Sequence, residues 1–239
     1  MVTSTSAIVL SKIRYKDNDI IVKLYTKEYG IISFIVKGER NSKKNKIKFV
    51  YFQELTILEI QFNYNSKRDL QYIKDIEIKH NYMSSHSDLV KASVIIFLSE
   101  VLSNIITHQK RETQLYNYIE QSLIWYDTNK FNPYFHMIFL LELTRYLGFY
   151  PDTLNNKFKY FNLEEGAYEK LKTSKYSITG DSLNLLNQIL GIKFDSNPLP
   201  TLNSDDKMEI LNIILVYYKL HSNNFKPIKS LEIVKNIFS

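Results

Sequence analysis

The spacing of apolar residues changes near residue 80, and this change constrains the fold more than any other feature of the chain. Before it, short runs rich in Ile, Val and Tyr lie between turn-forming residues, a pattern typical of strands. Five strands without a helical repeat predict a small closed or partly open barrel. The expected strands are Ala7–Arg14, Ile20–Thr26, Ile31–Lys37, Leu55–Phe62 and Leu70–Ile78.

After residue 80, apolar residues recur three or four positions apart, which predicts helices. Gly148 is suited to end the third helix, and Asp206 with Glu209 resembles a capping box that opens the fifth. Segment 160–166 is compatible with either a hairpin or a loop. The expected helices are Leu89–Ile106, Leu115–Trp125, residues 132–147, Ser182–Leu190, residues 206–221 and Ser230–Phe238.

These two patterns predict an α+β protein with a barrel domain at residues 1–80 and a helical domain at residues 81–239. The chain has no Cys, which excludes disulfides, Cys-ligated metal and a thiol nucleophile, and which fits a reducing compartment. No apolar stretch reaches the roughly 18 residues that a membrane-spanning helix needs. We therefore expect a cytoplasmic protein.

Positive charge is concentrated in the first third of the chain. Residues 1–80 carry 15 basic and nine acidic side chains, a net charge of +6, whereas residues 81–239 carry 16 of each sign. Such an asymmetry suggests that one segment meets a polyanion and that the other does not.

The basic excess is densest in the connection between the third and fourth strands. Residues 37–48 hold six basic side chains and one acidic side chain. Phosphate backbones neutralise such a loop, and counterion release favours binding. The alternative is a solvated charged loop without a ligand. With Arg14 on the first strand, the expected phosphate-binding residues are Arg14, Lys37, Arg40, Lys43, Lys44, Lys46 and Lys48.

Aromatic residues lie on or beside the expected strands, as they do in small barrels that stack the bases of single-stranded nucleic acid. Phe34 stands in register with Ile32 and Val36, and we expect it in the core. Tyr25 and Tyr72 are the better candidates for an exposed stacking surface. Aromatic residues in strands more often serve packing than ligand binding.

Catalytic motifs are missing from the sequence. The six Gly have no phosphate-loop spacing, the five His have no metal-binding spacing, and there is no Gly-x-Ser-x-Gly motif. Asp17 and Asp19 are suited to share a divalent ion in a nuclease, but short Asx residues are far more typical of turns. We expect no enzyme activity, no cofactor and no metal.

Three blocks of sequence, in order along the chain, resemble the RecO family of bacterial recombination mediators. The first block runs from Ser6 to Arg40 and includes Tyr15–Val22 and the segment Lys37-Gly38-Glu39-Arg40. The second is Leu140–Pro151, and the third is Phe225–Ser230. Together the blocks span nearly the whole chain.

The resemblance implies an N-terminal five-stranded OB-fold barrel followed by an all-helical C-terminal domain. It implies a DNA-repair protein that binds single- and double-stranded DNA, anneals complementary strands and helps RecA replace single-strand-binding protein. The implied partners are RecR and the acidic C-terminal tail of single-strand-binding protein. Lys37 and Arg40 fall on the family's Lys-Gly-x-Arg motif, and Lys226 and Lys229 on its C-terminal motif for contact with DNA or the acidic tail.

Two departures from the family pattern bear on what the resemblance implies. Many members hold a four-cysteine zinc site in the region equivalent to residues 153–180, where this chain has no Cys. Members often carry an Arg that grips the tail of single-strand-binding protein, where this chain reads Pro133-Tyr134-Phe135-His136. The alternative function is an OB-type adaptor whose basic loop binds acidic peptides and never contacts DNA.

Overall fold

The computed structural model describes residues 2–16, 19–37, 49–107 and 110–238. The first 78 residues contain five strands, β1 to β5, and a short 3₁₀ helix precedes β4. The strand bounds are Val2–Tyr15, Asp19–Thr26, Gly30–Val36, Ile57–Asn63 and Leu70–Ile78, and the 3₁₀ helix is Phe49–Phe52. The strands form a closed barrel in the order β1-β2-β3-β5-β4, in which β3 and β5 run parallel.

Alternation along the strands decides which side chains fill the barrel. Val22, Leu24 and Phe34 belong to the inner set, together with Phe52 of the 3₁₀ helix, and all four are buried. Phe34 is therefore in the core, as its register with Ile32 and Val36 predicts. β1 begins five residues earlier than expected because its polar start, Val2–Ser6, pairs with β4.

Six α-helices, α1 to α6, follow the barrel in the part of the chain that the structure describes. Their bounds are Leu89–Ile105, Thr113–Thr128, Phe135–Leu147, Asp181–Ile189, Ser204–His221 and Leu231–Phe238. The expected α+β class, an OB-fold barrel followed by a helical C-terminal part, is confirmed. None of the described helices is long and apolar enough to cross a membrane.

The chain divides into two compact units, residues 1–130 and 131–239. Helices α1 and α2 thus belong to the same compact unit as the barrel. Ser99 and Ser103 of α1 donate hydrogen bonds to the carbonyl oxygen of Leu10 in β1, at 2.6 and 3.0 Å. Tyr116 of α2 donates to Ser6 Oγ at 2.8 Å. These bonds hold both helices on the outside of β1.

In the second unit, α5 is the central helix. Tyr218 donates a hydrogen bond to the carbonyl oxygen of Leu140 in α3 at 2.7 Å, and Tyr217 donates to that of Phe149 at 2.7 Å. The third helix ends at Gly148, which has a φ of +85°, as expected. The expected capping box of the fifth helix is wrong by three residues, because Asn203 and Asp206 form it.

A three-stranded sheet, in the order β7-β6-β8, lies within residues 153–180, the region for which the resemblance implies a zinc site. Its strands are Tyr160–Asn162, Ala167–Glu169 and Ser177–Ile178. The hairpin interpretation of residues 160–166 is therefore confirmed, and this sheet is an addition to the helical part.

Candidate nucleic-acid interface

A row of four apolar side chains crosses the outside of the barrel at one level. Ile13 of β1 pairs with Ile21 of β2, Ile21 pairs with Ile35 of β3, and Ile35 pairs with Tyr72 of β5. Paired residues on neighbouring strands point to the same face of a sheet, so the four side chains form one continuous outer row. We call these residues the outer row.

The two ends of the outer row are the most exposed. Ile13 is 60% exposed and Tyr72 is 50% exposed, whereas Ile21 and Ile35 are half-buried. A flat aromatic ring at the edge of an apolar strip is suited to stack on a nucleobase. The prediction that Tyr72 lies at the surface is confirmed.

Tyr25, the other expected stacking residue, is not available, and that prediction is wrong. Its ring is 1% exposed and packs against Tyr116 at a centroid distance of 5.6 Å. Its hydroxyl donates to the carbonyl oxygen of Glu112 at 3.3 Å. Burial, with the nearby Glu112 charge, raises the pKa of the Tyr25 phenol well above its ordinary value. Helix α2 therefore covers this end of the outer face.

Two of the expected phosphate-binding residues, Arg14 and Lys37, lie at the end of the barrel, one residue beyond Ile13 and two beyond Ile35 of the outer row. Arg14 pairs with Ile20, which pairs with Val36, and Lys37 follows directly. Two strand spacings, about 10 Å, therefore separate the backbones of Arg14 and Val36. Arg14 and Lys37 are both exposed. The other five, Arg40, Lys43, Lys44, Lys46 and Lys48, lie outside the residues that the structure describes.

Sequence reasoning missed a second pair of cations, Lys67 and Arg68, in the turn between β4 and β5. The buried Gln71 orders this turn, since its amide donates to the carbonyl oxygens of Asn65 and Arg68 at 2.9 and 2.7 Å. In OB folds this turn and the outer face of β2 and β3 are the usual oligonucleotide-binding elements. The sequence does indicate this pair, because Lys67 and Arg68 are adjacent basic residues between two predicted strands.

Lys226 and Lys229 lie in the second unit, between α5 and α6, and both are exposed. The adjacent Phe225 stacks on Tyr218 with ring centroids 5.9 Å apart. The segment that carries the two expected contact lysines is therefore anchored to α5 by this ring contact.

The residues of this chain do not fit the zinc site of the resembled family, since that site needs four Cys and the chain has none. Among the described residues, no group of three or more His, Asp and Glu is placed to hold a metal ion. Asp17, the first residue of the Asp17 and Asp19 carboxylate pair, lies outside the described residues.

A carboxylate holds the small sheet together instead. Glu169 accepts hydrogen bonds from the hydroxyls of Ser177 at 2.6 Å and Thr173 at 2.5 Å, and from the Asn162 amide at 3.3 Å. The backbone N–H of Thr173 donates to it at 3.1 Å. Partial burial opposes ionisation, but these bonds prevail and lower the pKa of Glu169 to about 2.

Comparison with known proteins is consistent with this architecture. The family model for the N-terminal part of recombination protein O matches residues 1–82, and that for its C-terminal part matches residues 86–232. Proteins named DNA repair protein RecO are similar over the full length of both chains: 37% identical in Flavobacterium psychrophilum, 35% in Christiangramia forsetii and 31% in Bacteroides fragilis strain YCH46. The chain therefore belongs to the RecO family of DNA repair proteins.

Proposed function

We propose that this RecO-family protein is a recombination mediator that works without catalysis. It binds single- and double-stranded DNA, anneals complementary strands and, together with RecR, helps RecA to load on DNA coated with single-strand-binding protein. The observation that carries the proposal is the outer row, with exposed Tyr72 at one end and the exposed cations Arg14 and Lys37 at the adjoining end of the barrel. Its place of action is the nucleoid in the bacterial cytoplasm.

Annealing follows from charge neutralisation. Two strands repel each other through their phosphates, and cations that bind both strands lower this repulsion. The basic run at residues 37–48 and the ordered pair Lys67 and Arg68 supply cations on the barrel unit. One base of a strand stacks on Tyr72 and holds the strand in place, while its other bases stay free to pair with a complementary strand. No covalent bond is made or broken.

The second unit supplies a different contact. Lys226 and Lys229 are exposed in the segment that follows Phe225, a combination of residues that suits an acidic peptide segment carrying apolar residues. We propose that these lysines bind either DNA or the acidic tail of single-strand-binding protein. We propose RecR as a further binding partner of this chain. Loss of tail binding in Lys226→Glu/Lys229→Glu with unchanged oligonucleotide binding would identify the tail as the ligand.

Reversing the charge of Lys43, Lys44 and Lys46 to Glu is expected to lower oligonucleotide affinity at least about tenfold at low salt, because phosphate contacts are lost and repulsion is added. The slope of log affinity against log salt should become shallower by about 2 for single strands. Fluorescence anisotropy of a labelled oligonucleotide at several salt concentrations measures both quantities.

The matched control reverses three exposed lysines of the second unit, Lys170, Lys172 and Lys175, and gives the same change in net charge. This control should retain most of the affinity. Wild-type protein that binds no oligonucleotide at low salt, yet captures acidic peptides after nuclease treatment, would favour the adaptor function instead.

Replacing Tyr72 by Ala is expected to weaken binding of single strands about tenfold, since one stacked base contributes roughly 1–3 kcal/mol. The salt slope should not change, because no phosphate contact is lost. The control Tyr146→Ala removes a comparably exposed ring from α3. Equal affinities of wild type and Tyr72→Ala for single strands would exclude the outer row as the stacking surface.

A further inference from the structure

A second candidate site lies in the first unit, away from the outer row, where a cavity of about 260 Å³ opens to solvent. Its walls come from the 3₁₀ helix and the residue that precedes β4, and from residues 78–87 at the end of β5 and beyond. Its volume lies just below the range of about 300–1,000 Å³ typical of small-molecule sites. The cavity thus has room for a fragment-sized group.

One wall of the cavity is a cluster of three rings. Tyr82 packs edge-on against His80 with ring centroids 5.0 Å apart, and its ring is tilted against that of His86 with centroids 4.5 Å apart. Each ring is fixed by a hydrogen bond: Tyr82 donates to Leu55 O at 2.7 Å, His86 to Glu54 O at 2.9 Å, and His80 to Asp127 at 3.1 Å. The wall is therefore preformed.

The rest of the lining combines apolar surface with hydrogen-bonding groups. Val50 and Ile78 are exposed apolar side chains at the cavity. Gln53 and Asn81 contribute exposed carboxamides, each with donors and an acceptor. Thr56 also lines the cavity, is 4% exposed, and has a hydroxyl without a hydrogen-bond partner in the described part of the chain.

This lining selects the chemistry of the ligand. None of the lining residues is Lys, Arg, Asp or Glu, so the cavity has no permanently charged side chain to pair with a phosphate, carboxylate or ammonium group. Aromatic and apolar walls with the exposed carboxamides of Gln53 and Asn81 suit a neutral, flat, heteroaromatic ring that both donates and accepts hydrogen bonds. A nucleobase is such a ring.

We propose that this cavity binds one unpaired nucleobase of a DNA strand, separately from stacking at the outer row. The proposal rests on the DNA-binding function proposed above. In the sequence, the basic residues 37–48 end immediately before the 3₁₀ helix whose Val50 lines the cavity. A DNA strand that these residues attract through its phosphates is therefore brought near the cavity. A captured base anchors the strand by a contact that salt does not weaken.

The test uses a neutral deoxynucleoside, which cannot respond to phosphate attraction. Of the five His in the chain, His80 and His86 line the cavity, whereas His136 and His221 lie in the second unit. Millimolar deoxyadenosine or thymidine should shift the imidazole proton resonances of His80 and His86 and leave those of His136 and His221 in place. Single His→Gln variants assign the signals.

Variants localise the effect. Asn81→Ala and Gln53→Ala should each weaken nucleoside binding about fivefold through a lost hydrogen bond. Gln121→Ala, an exposed carboxamide on α2 outside the cavity, should not. Unchanged His80 and His86 signals at saturating nucleoside would overturn the proposal, as would shifts caused by N-acetylphenylalaninamide but by no nucleoside.

Failure of this proposal and failure of the proposed function give different results. If the cavity does not take a base, wild-type protein still binds oligonucleotides, and Lys43→Glu/Lys44→Glu/Lys46→Glu still weakens that binding. If the protein does not bind DNA at all, wild type fails with every oligonucleotide, whatever the nucleoside titration shows.

Discussion

Replacing Asp127 by Ala is expected to lower the free energy of unfolding of the first unit by about 4 kcal/mol, because it leaves one buried and three partly buried donors without their acceptor. Asp127 is 3% exposed and is the last buried residue of α2. Its carboxylate accepts hydrogen bonds from the backbone N–H groups of Met83, Ser84 and Ser85 at 2.8–2.9 Å. It also accepts one from His80.

The surroundings of Asp127 explain why the charge is tolerated. Burial alone would raise the pKa of this carboxyl, but the three backbone N–H groups and His80 hold it well below its ordinary value. Lys91, which is also buried, donates to the carbonyl oxygens of Tyr126 and Asn129 and to the hydroxyl of Ser84, at 2.7–2.8 Å. Together they fix residues 83–85 to the end of α2.

Urea unfolding measures the effect of this substitution. Trp125 is the only tryptophan of the chain and lies two residues away in the same helix, so its fluorescence reports on the first unit. Asp127→Asn, which keeps the shape but presents an amide donor to backbone donors, should lose a large part of the same stability. The control Asp69→Ala removes an exposed carboxylate and should change stability by less than about 0.5 kcal/mol. A similarly small change for Asp127→Ala would contradict the prediction.

The second unit is expected to lose about 3 kcal/mol of stability between pH 7.5 and pH 4 through one buried imidazole. His136 is 1% exposed in α3, and burial, with the positive charge of Lys207 as a smaller cause, lowers its pKa to about 3. In the unfolded chain the pKa of His is about 6.5. Below about pH 6.5 the imidazole takes up a proton in the unfolded state but stays neutral in the folded state, so acid favours unfolding.

His136→Gln should remove this part of the pH dependence, because the amide does not titrate. The protein is equilibrated in urea at each test pH and then labelled by a short pulse of hydrogen exchange at one fixed pH. Exchange in peptides from residues 131–147 then reports the unfolding of the second unit alone. The control His221→Gln removes the other histidine of this unit and should keep the pH dependence. The prediction fails if wild type and His136→Gln lose stability in parallel as the pH falls.

Local sequence patterns predict most of the strands and helices and show which of their side chains face the core. The alternation of Ile20, Val22 and Leu24 against their neighbours determined which side of β2 fills the barrel, because successive side chains of a strand point to opposite faces. Gly148 determined the end of α3, because a left-handed residue suits a helix terminus and glycine adopts it without strain. Local pattern does not single out the capping residue of α5, because Asn203, Asp205 and Asp206 are all suitable capping residues within four positions.

The sequence by itself thus determined the barrel-then-helices order, the position of the basic run and the family, because periodicity, turn chemistry and sequence blocks are properties of neighbouring residues. Only the tertiary structure decided which outward side chains stay exposed. Tyr25 and Tyr72 both face outward from the barrel, yet α2 covers Tyr25 through Glu112 and Tyr116, and the pairing of β3 with β5 places Tyr72 at the open end of the outer row. Those contacts join residues nearly forty to ninety positions apart, and such pairings are set by chain closure and packing, which no local pattern records.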